Sequence, residues 1–258
     1  MDYFNKTVLK SIEVLELFKQ SPELTLKELE CKSELPKSTL HRVVRTLEHK
    51  GLLQRNRNQS KQTYQLGLAF LQYGQMVKNQ LEIRKIALPY MQQLKDQVNE
   101  SVNLIIRDQD KAIYIEKVDT NQPVRVYTQV GRSAPLYAGA CPRVLLSFLK
   151  EDELNDYVHR ITLHPIGSGT ITDPEKLYDK IYETRKLGFT VSHSELENES
   201  SAVGVPIRDY TGEVIAGLSI AGPSHRFTNE NIKAIVQAGK NTANKVSAQL
   251  GFYTNHHQ

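Results

Sequence analysis

Apolar residues near the start of the chain return every three or four positions. Val8, Ile12, Leu15 and Phe18 predict a helix with those four side chains on its buried face. Ser21-Pro22 breaks that helix. Thr25 is placed to cap a short second helix in which Leu26 and Leu29 face inward. After a turn at 31–35, Pro36 suits the first position of a third helix, where its missing N–H costs nothing, and Gly51 marks that helix's end. In this third helix Leu40, Val43, Val44 and Leu47 fall at i, i+3, i+4 and i+7. Lys37, Ser38, Thr39, His41, Arg42 and Arg45 are left pointing outward. Leu53 and Arg55, then Tyr64 and Leu66, flank the polar tip 56–62 and predict a two-stranded hairpin.

Beyond residue 67 the pattern changes. A helix is expected over 68–80, with Gly67 and Gly74 as weak points, and another over 83–98 that tolerates Pro89. Strands are expected at 102–107, 112–118, 124–128, 202–208 and 214–220. Helices are expected from Pro142 to about residue 150 and from Asp173-Pro174 to Lys186, before Gly188. A final helix runs over 229–250, between Thr228 as cap and Gly251 as stop. The mixed order and antiparallel-compatible strand pairs predict the α+β class. The expected division is an N-terminal domain over 1–67, a linker helix over 68–81 and a second domain over 82–254.

Charge changes this picture from architecture to chemistry. The net charge of +4 resides in residues 1–64, which hold 12 Lys/Arg against 8 Asp/Glu; the remainder holds 21 of each. Within 36–64 the basic side chains Lys37, Arg42, Arg45, Lys50, Arg55, Arg57 and Lys61 face the single acid Glu48. A charge run alone is usually a solvated face. A helix-turn-helix with a basic outward face and a basic hairpin beside it instead predicts a winged helix on double-stranded DNA. The first residues of such a helix normally meet the base edges, which favours Lys37, Ser38, Thr39, His41 and Arg42 over Arg45. Arg55, Arg57 and Lys61 are placed to position the module on phosphates or in the minor groove.

Other chemistry is sparse. Cys31 and Cys141 lie far apart without metal spacing, which predicts two reduced thiols and a cytoplasmic setting. No leader pattern or membrane-length apolar run is read, so no membrane partner is expected. Phosphate-loop, nucleophile-elbow and zincin motifs are not found, and neither catalysis nor a cofactor is expected. Cys141 beside a helix start is the weak candidate for an activated thiol. His159, His164, His193 and His225, with the His256-His257 tail, are the weak candidates for a metal.

Leu35-Pro36-Lys37-Ser38-Thr39-Leu40-His41-Arg42, with Thr46-Leu47-Glu48 and Gly51-Leu52, resembles the recognition-helix signature of the IclR family of bacterial regulators. The resemblance continues through Gly188, Ser192, Glu195, Ala202-Val203-Gly204, Ile207 and Asp209, with Arg208 standing where an aromatic or His is usual. Residues 170–177 and 218–223 are also family-like. It implies a GAF/profilin-like effector domain, dimerisation through the N-terminal region, and often a dimer of dimers on an inverted-repeat operator. It also implies a small-molecule effector, often a carboxylate, near Gly139, Ala140, Ser192, Ala202, Ser219 and Ala221. Here Ser192 replaces an Asp, Ala202 a Cys and Ala221 a Ser of well-known members, so this pocket is expected to be less polar. Gly139 and Ala140 precede a helix and are expected to expose free backbone N–H groups to an anion. The bland reading is that these small residues merely allow tight packing.

The expected function is a sequence-specific transcription regulator, a repressor rather than an activator, under effector control. An enzyme with an autoregulatory DNA module and a DNA-binding protein whose second half only oligomerises remain the alternatives.

Overall fold

The computed structural model describes residues 4–56, 62–80 and 82–252, with the backbone alone considered at 77–80. The chain divides into two units, residues 1–80 and 81–258.

The first unit begins with α1 (Lys6–Glu16), capped by the Asn5 side chain and continued by a 3-10 turn, Leu17–Lys19. This helix departs from expectation. Val8 and Ile12 are 53% and 47% exposed, whereas Val14 and Phe18 are buried. The helix carries two apolar stripes, and the one with Val14 packs inward. A two-residue strand, β1 (Leu24–Thr25), precedes α2 (Leu26–Lys32). Thr25 and Glu28 form a reciprocal capping box that fixes where α2 starts. Next come α3 (Lys37–His49), β2 (Leu53–Asn56), β3 (Thr63–Leu66) and α4 (Ala69–Gln80). Pro36 is the N-cap of α3 and not its first residue, with ψ at 138°. Gly51, at φ +69°, turns the chain into the hairpin. Leu40, Val43, Val44 and Leu47 join Val14, Phe18, Leu24, Leu29, Leu53 and Tyr64 in one core. The β2–β3 hairpin pairs Leu53 with Leu66 and Asn56 with Thr63, and β1 adds to β3.

The second unit starts with α5 (Glu82–Val98), which accommodates Pro89. There follow β4 (Ser101–Asp108), β5 (Lys111–Val118), β6 (Ser133–Pro135), α6 (Ala140–Ser147), α7 (Glu151–Arg160), α8 (Pro174–Leu187), β7 (Thr190–His193), β8 (Ser200–Arg208), β9 (Val214–Pro223) and α9 (Asn229–Gln249). The six strands form an antiparallel sheet in the order β6-β5-β4-β9-β8-β7. One face buries Val102, Leu104, Val203, Val205, Leu218 and Ile220 against α5 and α9. The other, with Ile105, Ala112 and Tyr114, packs against α6, α7 and α8. Alternation along each strand therefore serves two cores at once.

Residues 124–128 are not the expected strand. Pro123 lacks a donor, and the edge of β5 is already occupied, because Gly131 N–H and Arg132 C=O bond Tyr114 while β6 pairs with Lys111, Ala112 and Ile113. The helix expected at Pro142 begins earlier, at Ala140, directly after Gly139 at φ +86°.

Candidate DNA-reading face and effector cavity

The buried stripe of α3 sets the rotation of the helix, and that rotation fixes what faces out. Lys37, Ser38, Arg42 and Arg45 are exposed, while Thr39 and His41 are half-buried. The Arg42 and Arg45 guanidinium groups bond no described residue. Lys37 and His41 are different, because Glu30 on α2 holds both: its carboxylate lies 3.3 Å from Lys37 Nζ and 3.0 Å from His41 Nε2. The hydrogen bond from His41, then that from Lys37, draws the Glu30 carboxyl below its usual range. Sequence reading missed this partner, although the Glu30 to Lys37 span across a helix-turn-helix turn is where such a pair forms.

Arg55 on β2 is also engaged. It donates from Nη2 to the Tyr64 hydroxyl at 2.7 Å, stacks on the Tyr64 ring and lies 3.4 Å from Glu48. Its charge is spent partly within the module. Arg57 and Lys61 of the hairpin tip lie outside the described residues.

In the second unit, Gly139, Ala140, Ser192, Ala202, Ser219 and Ala221 all line one cavity of about 40 Å³, together with Tyr114, Thr128, Arg132 and Glu197. The register brings them together: Ser192 faces Ala202, Ala202 faces Ala221, and Gly204 faces Ser219. The start of α6 lies on this patch because Gly204 has no side chain; a Cβ there would sit 2.7 Å from Ala140 O. Gly139 adopts a left-handed φ and also leaves room for Leu196.

The expected free N–H groups are a correction. Gly139 N–H donates to Glu195 Oε2 at 2.9 Å, and Ala140 N–H donates to Ser192 Oγ at 3.0 Å. The helix start is already satisfied from within, as a buried terminus must be. Beneath it lies a buried ion pair. Arg143, with no exposure, donates from Nη1 and Nη2 to the Glu195 carboxylate at 2.6 and 2.9 Å, and from Nη2 to Val191 O at 3.1 Å. At the rim, Arg132 Nη2 donates to Glu197 Oε1 at 2.6 Å.

The weaker candidates separate. Cys141 is buried, and desolvation pushes its thiol well above the ordinary value, opposite to activation. Among the described residues no group of His, Cys, Asp or Glu is arranged for a metal. His159 bonds Asn155 O and His193 bonds Ser201 Oγ. Arg208 stacks over Phe148 and Phe252 and donates to Gly212 O. Its guanidinium thus bridges two aromatic rings. No described helix is long and apolar enough to cross a membrane.

A winged helix joined to a sheet domain with an internal cavity defines a DNA-binding regulator. Comparison with known proteins makes the class specific. The IclR helix-turn-helix domain model matches residues 7–57, and the bacterial transcriptional regulator IclR C-terminal model matches residues 75–248. The chain is 47% identical over 248 residues to the HTH-type transcriptional regulator KipR of Bacillus subtilis, covering 96% of this chain and 98% of that one. The crystal structure of Thermotoga maritima IclR superposes with a TM-score of 0.76 at 31% identity, over 95% of this chain and 99% of that chain. An IclR homolog from Microbacterium hydrocarbonoxydans, solved in complex with 4-hydroxybenzoate, has the same fold, with a TM-score of 0.81 at 24% identity over 95% and 99% of the two chains.

The chain belongs to the IclR family of bacterial transcriptional regulators, with a DNA-binding N-terminal module and the family's C-terminal regulatory domain.

Proposed function

We propose that this protein is a repressor that binds an inverted-repeat operator as a homodimer, or as a dimer of dimers, and that a small carboxylate in the α6–sheet cavity controls it. The observation that carries this reading is the convergence of Gly139, Ala140, Ser192, Ala202, Ser219 and Ala221 on one cavity. Arg132 at the rim supplies a cation for a carboxylate, and exchange of Glu197 for the ligand leaves that charge paired. The homolog from Microbacterium hydrocarbonoxydans holds 4-hydroxybenzoate, itself a carboxylate.

On DNA, Lys37, Ser38, Thr39, His41 and Arg42 read base edges, Arg45 meets phosphate, and Arg55, Arg57 and Lys61 steady the wing. Dimerisation is supported by exposed apolar side chains in the first unit, with Phe4, Val8, Leu9 and Ile12 at α1 and Leu68, Leu71 and Met76 at α4. Twofold protein symmetry then predicts two half-sites. The free thiols accord with a cytoplasmic protein. The effector acts through different affinities for DNA-competent and DNA-incompetent arrangements, a coupling worth about 5- to 150-fold in operator affinity.

The test is genome-wide binding of the full-length protein with and without candidate carboxylates. Peaks sharing an inverted repeat that weaken with one acid support the reading. Binding unrelated to any repeat and indifferent to every acid refutes it.

A further inference from the structure

A second cavity, of about 240 Å³, lies between β8 and α9 and shares no lining residue with the effector cavity. β8 contributes Arg208 and Pro206, and α9 contributes Lys240 and Asn244. Among the described residues, no Asp or Glu lines it. Arg208 is half-buried, and burial draws its pKa below the ordinary value with no neighbouring charge to oppose the effect. Phe148 and Phe252 lie 4.7 and 6.0 Å from its guanidinium, and it donates from Nη1 to Gly212 O at 2.7 Å. Its Nε and Nη2 bond no described residue. Lys240, also half-buried, donates from Nζ to Leu187 O at 2.6 Å, the last carbonyl of α8. Two of its three N–H groups remain. The Asn244 carboxamide bonds no described residue. The acids that follow Arg208 in the chain are engaged elsewhere: Asp209 accepts from Thr211, and Glu213 faces Lys150.

Arg208 is an exception within its own domain. The other described arginines of the second unit, Arg84, Arg107, Arg125, Arg132, Arg143, Arg160, Arg185 and Arg226, each have a carboxylate within 3.8 Å. Arg208 shares its cavity with a second cation instead, and only carbonyl oxygens stand against the two charges. Such a pair lacks a counter-charge, and its geometry says which one fits. Nε and Nη2 form one edge of the guanidinium, and that edge takes two oxygens of an oxyanion at once. Lys240 brings a point charge from another element, and Asn244 a neutral donor. A carboxylate supplies one negative charge, whereas a phosphoryl group supplies about 1.5 to 2 at neutral pH. At about 30 Å³ for each water-sized group, the cavity has room for a phosphoryl group and a short carbon chain.

We propose that this cavity is a second ligand site of the regulatory domain, which takes a phosphoryl dianion on Arg208, Lys240 and Asn244. The group is inorganic phosphate, or the phosphate of a small ester whose carbon body lies against Pro206 and Phe252. A ligand held there ties β8 to α9 and, through Lys240, to the end of α8.

The test is calorimetry on full-length protein at constant ionic strength, with inorganic phosphate, glycerol 3-phosphate and acetate as ligands. The proteins are wild type, Arg208→Gln, Asn244→Asp and Ala202→Leu, the last of which fills the effector cavity. Wild type is expected to bind at least one of the two phosphates about tenfold or more tightly than acetate, the worth of one charge-assisted hydrogen bond. Tighter binding of glycerol 3-phosphate than of phosphate assigns the site to an ester, and equal or weaker binding assigns it to the inorganic ion. Arg208→Gln and Asn244→Asp are expected to lower phosphate affinity by about tenfold or more, and Ala202→Leu to leave it unchanged. Asn244 is exposed on α9, so its variant decides the matter should Arg208→Gln lose stability. Absence of phosphate binding at millimolar concentration, or acetate bound as tightly as phosphate, overturns the proposal. Undiminished binding in Asn244→Asp places the anion on another cationic surface and overturns it, and loss of binding in Ala202→Leu does so by placing the anion in the effector cavity.

Discussion

Replacing Glu195 by Leu attacks the support on which the cavity stands. Its carboxylate receives three hydrogen bonds, two from Arg143 and one from Gly139 N–H, at 2.6 to 2.9 Å. Arg143 is fully buried. After the substitution Arg143 keeps only Val191 O and a long contact to Thr190 Oγ1, so most of a charged guanidinium is left unanswered in the interior. Breaking a buried pair in this way costs about 3–5 kcal/mol. Orphaning the Gly139 N–H adds to that figure. The second unit spans residues 81–258, and for a domain of that size each kcal/mol lowers Tm by roughly 2–4 °C, so a fall of about 6–20 °C is expected. The chain has no tryptophan, so far-UV circular dichroism is the suitable signal. The companion variant Arg143→Met with Glu195→Leu should recover much of the loss, because removing both charges avoids the unpaired ion. A single-variant loss below about 1 kcal/mol would refute the reasoning. So would a double variant as unstable as the sum of the two singles, since that would mean the pair has no coupling.

Other expectations concern the first unit. Arg42→Ala should lower operator affinity by about 1–3 kcal/mol and relax selectivity, read by fluorescence anisotropy on operator and scrambled DNA; unchanged selectivity would remove Arg42 from base readout. Glu30→Gln should strengthen operator binding and steepen its salt dependence by about one unit, because the carboxylate that competes with DNA for Lys37 is gone. The sign follows from its depressed carboxyl. The Glu30 pairing is fully present above the ordinary carboxylate range and is lost only as pH falls through the lowered value, so at neutral pH the competition is complete. An unchanged slope at pH 7 would contradict it. Ile12→Lys places a charge among the exposed apolar residues of α1, and sedimentation should show dimers giving way to monomers; an unaltered oligomeric state would place the interface elsewhere.

The legible parts of the sequence were those where one physical signal dominates. The four-residue stripe of α3 fixed both its core face and its outward face, and Asp173-Pro174 and Thr228 mark helix starts that the structure repeats. α7 was legible but not read: its acidic first turn and basic last turn suit the helix dipole, and Leu154, Tyr157 and Val158 carry the helical spacing. β6 and β7 are too short to register a period, and 124–128 has strand composition but no free edge to pair with. At α1 the periodicity was real but twofold, and only packing decides which stripe is buried. The six cavity residues came from family resemblance; their convergence depends on strand register that no local pattern encodes. The pairing of Glu30 with Lys37 and His41 is likewise a property of the folded turn.

The central claim is that occupation of the cavity changes DNA binding. It is tested most directly by titrating operator DNA, recovered from the genome-wide experiment, with the wild-type protein and with Ala202→Leu, in the presence and absence of the acid that binds wild type most tightly. The account predicts that the acid shifts wild-type operator affinity by at least about fivefold and leaves Ala202→Leu unmoved. Equal shifts in the two proteins, or no shift in wild type at saturating acid, would contradict it.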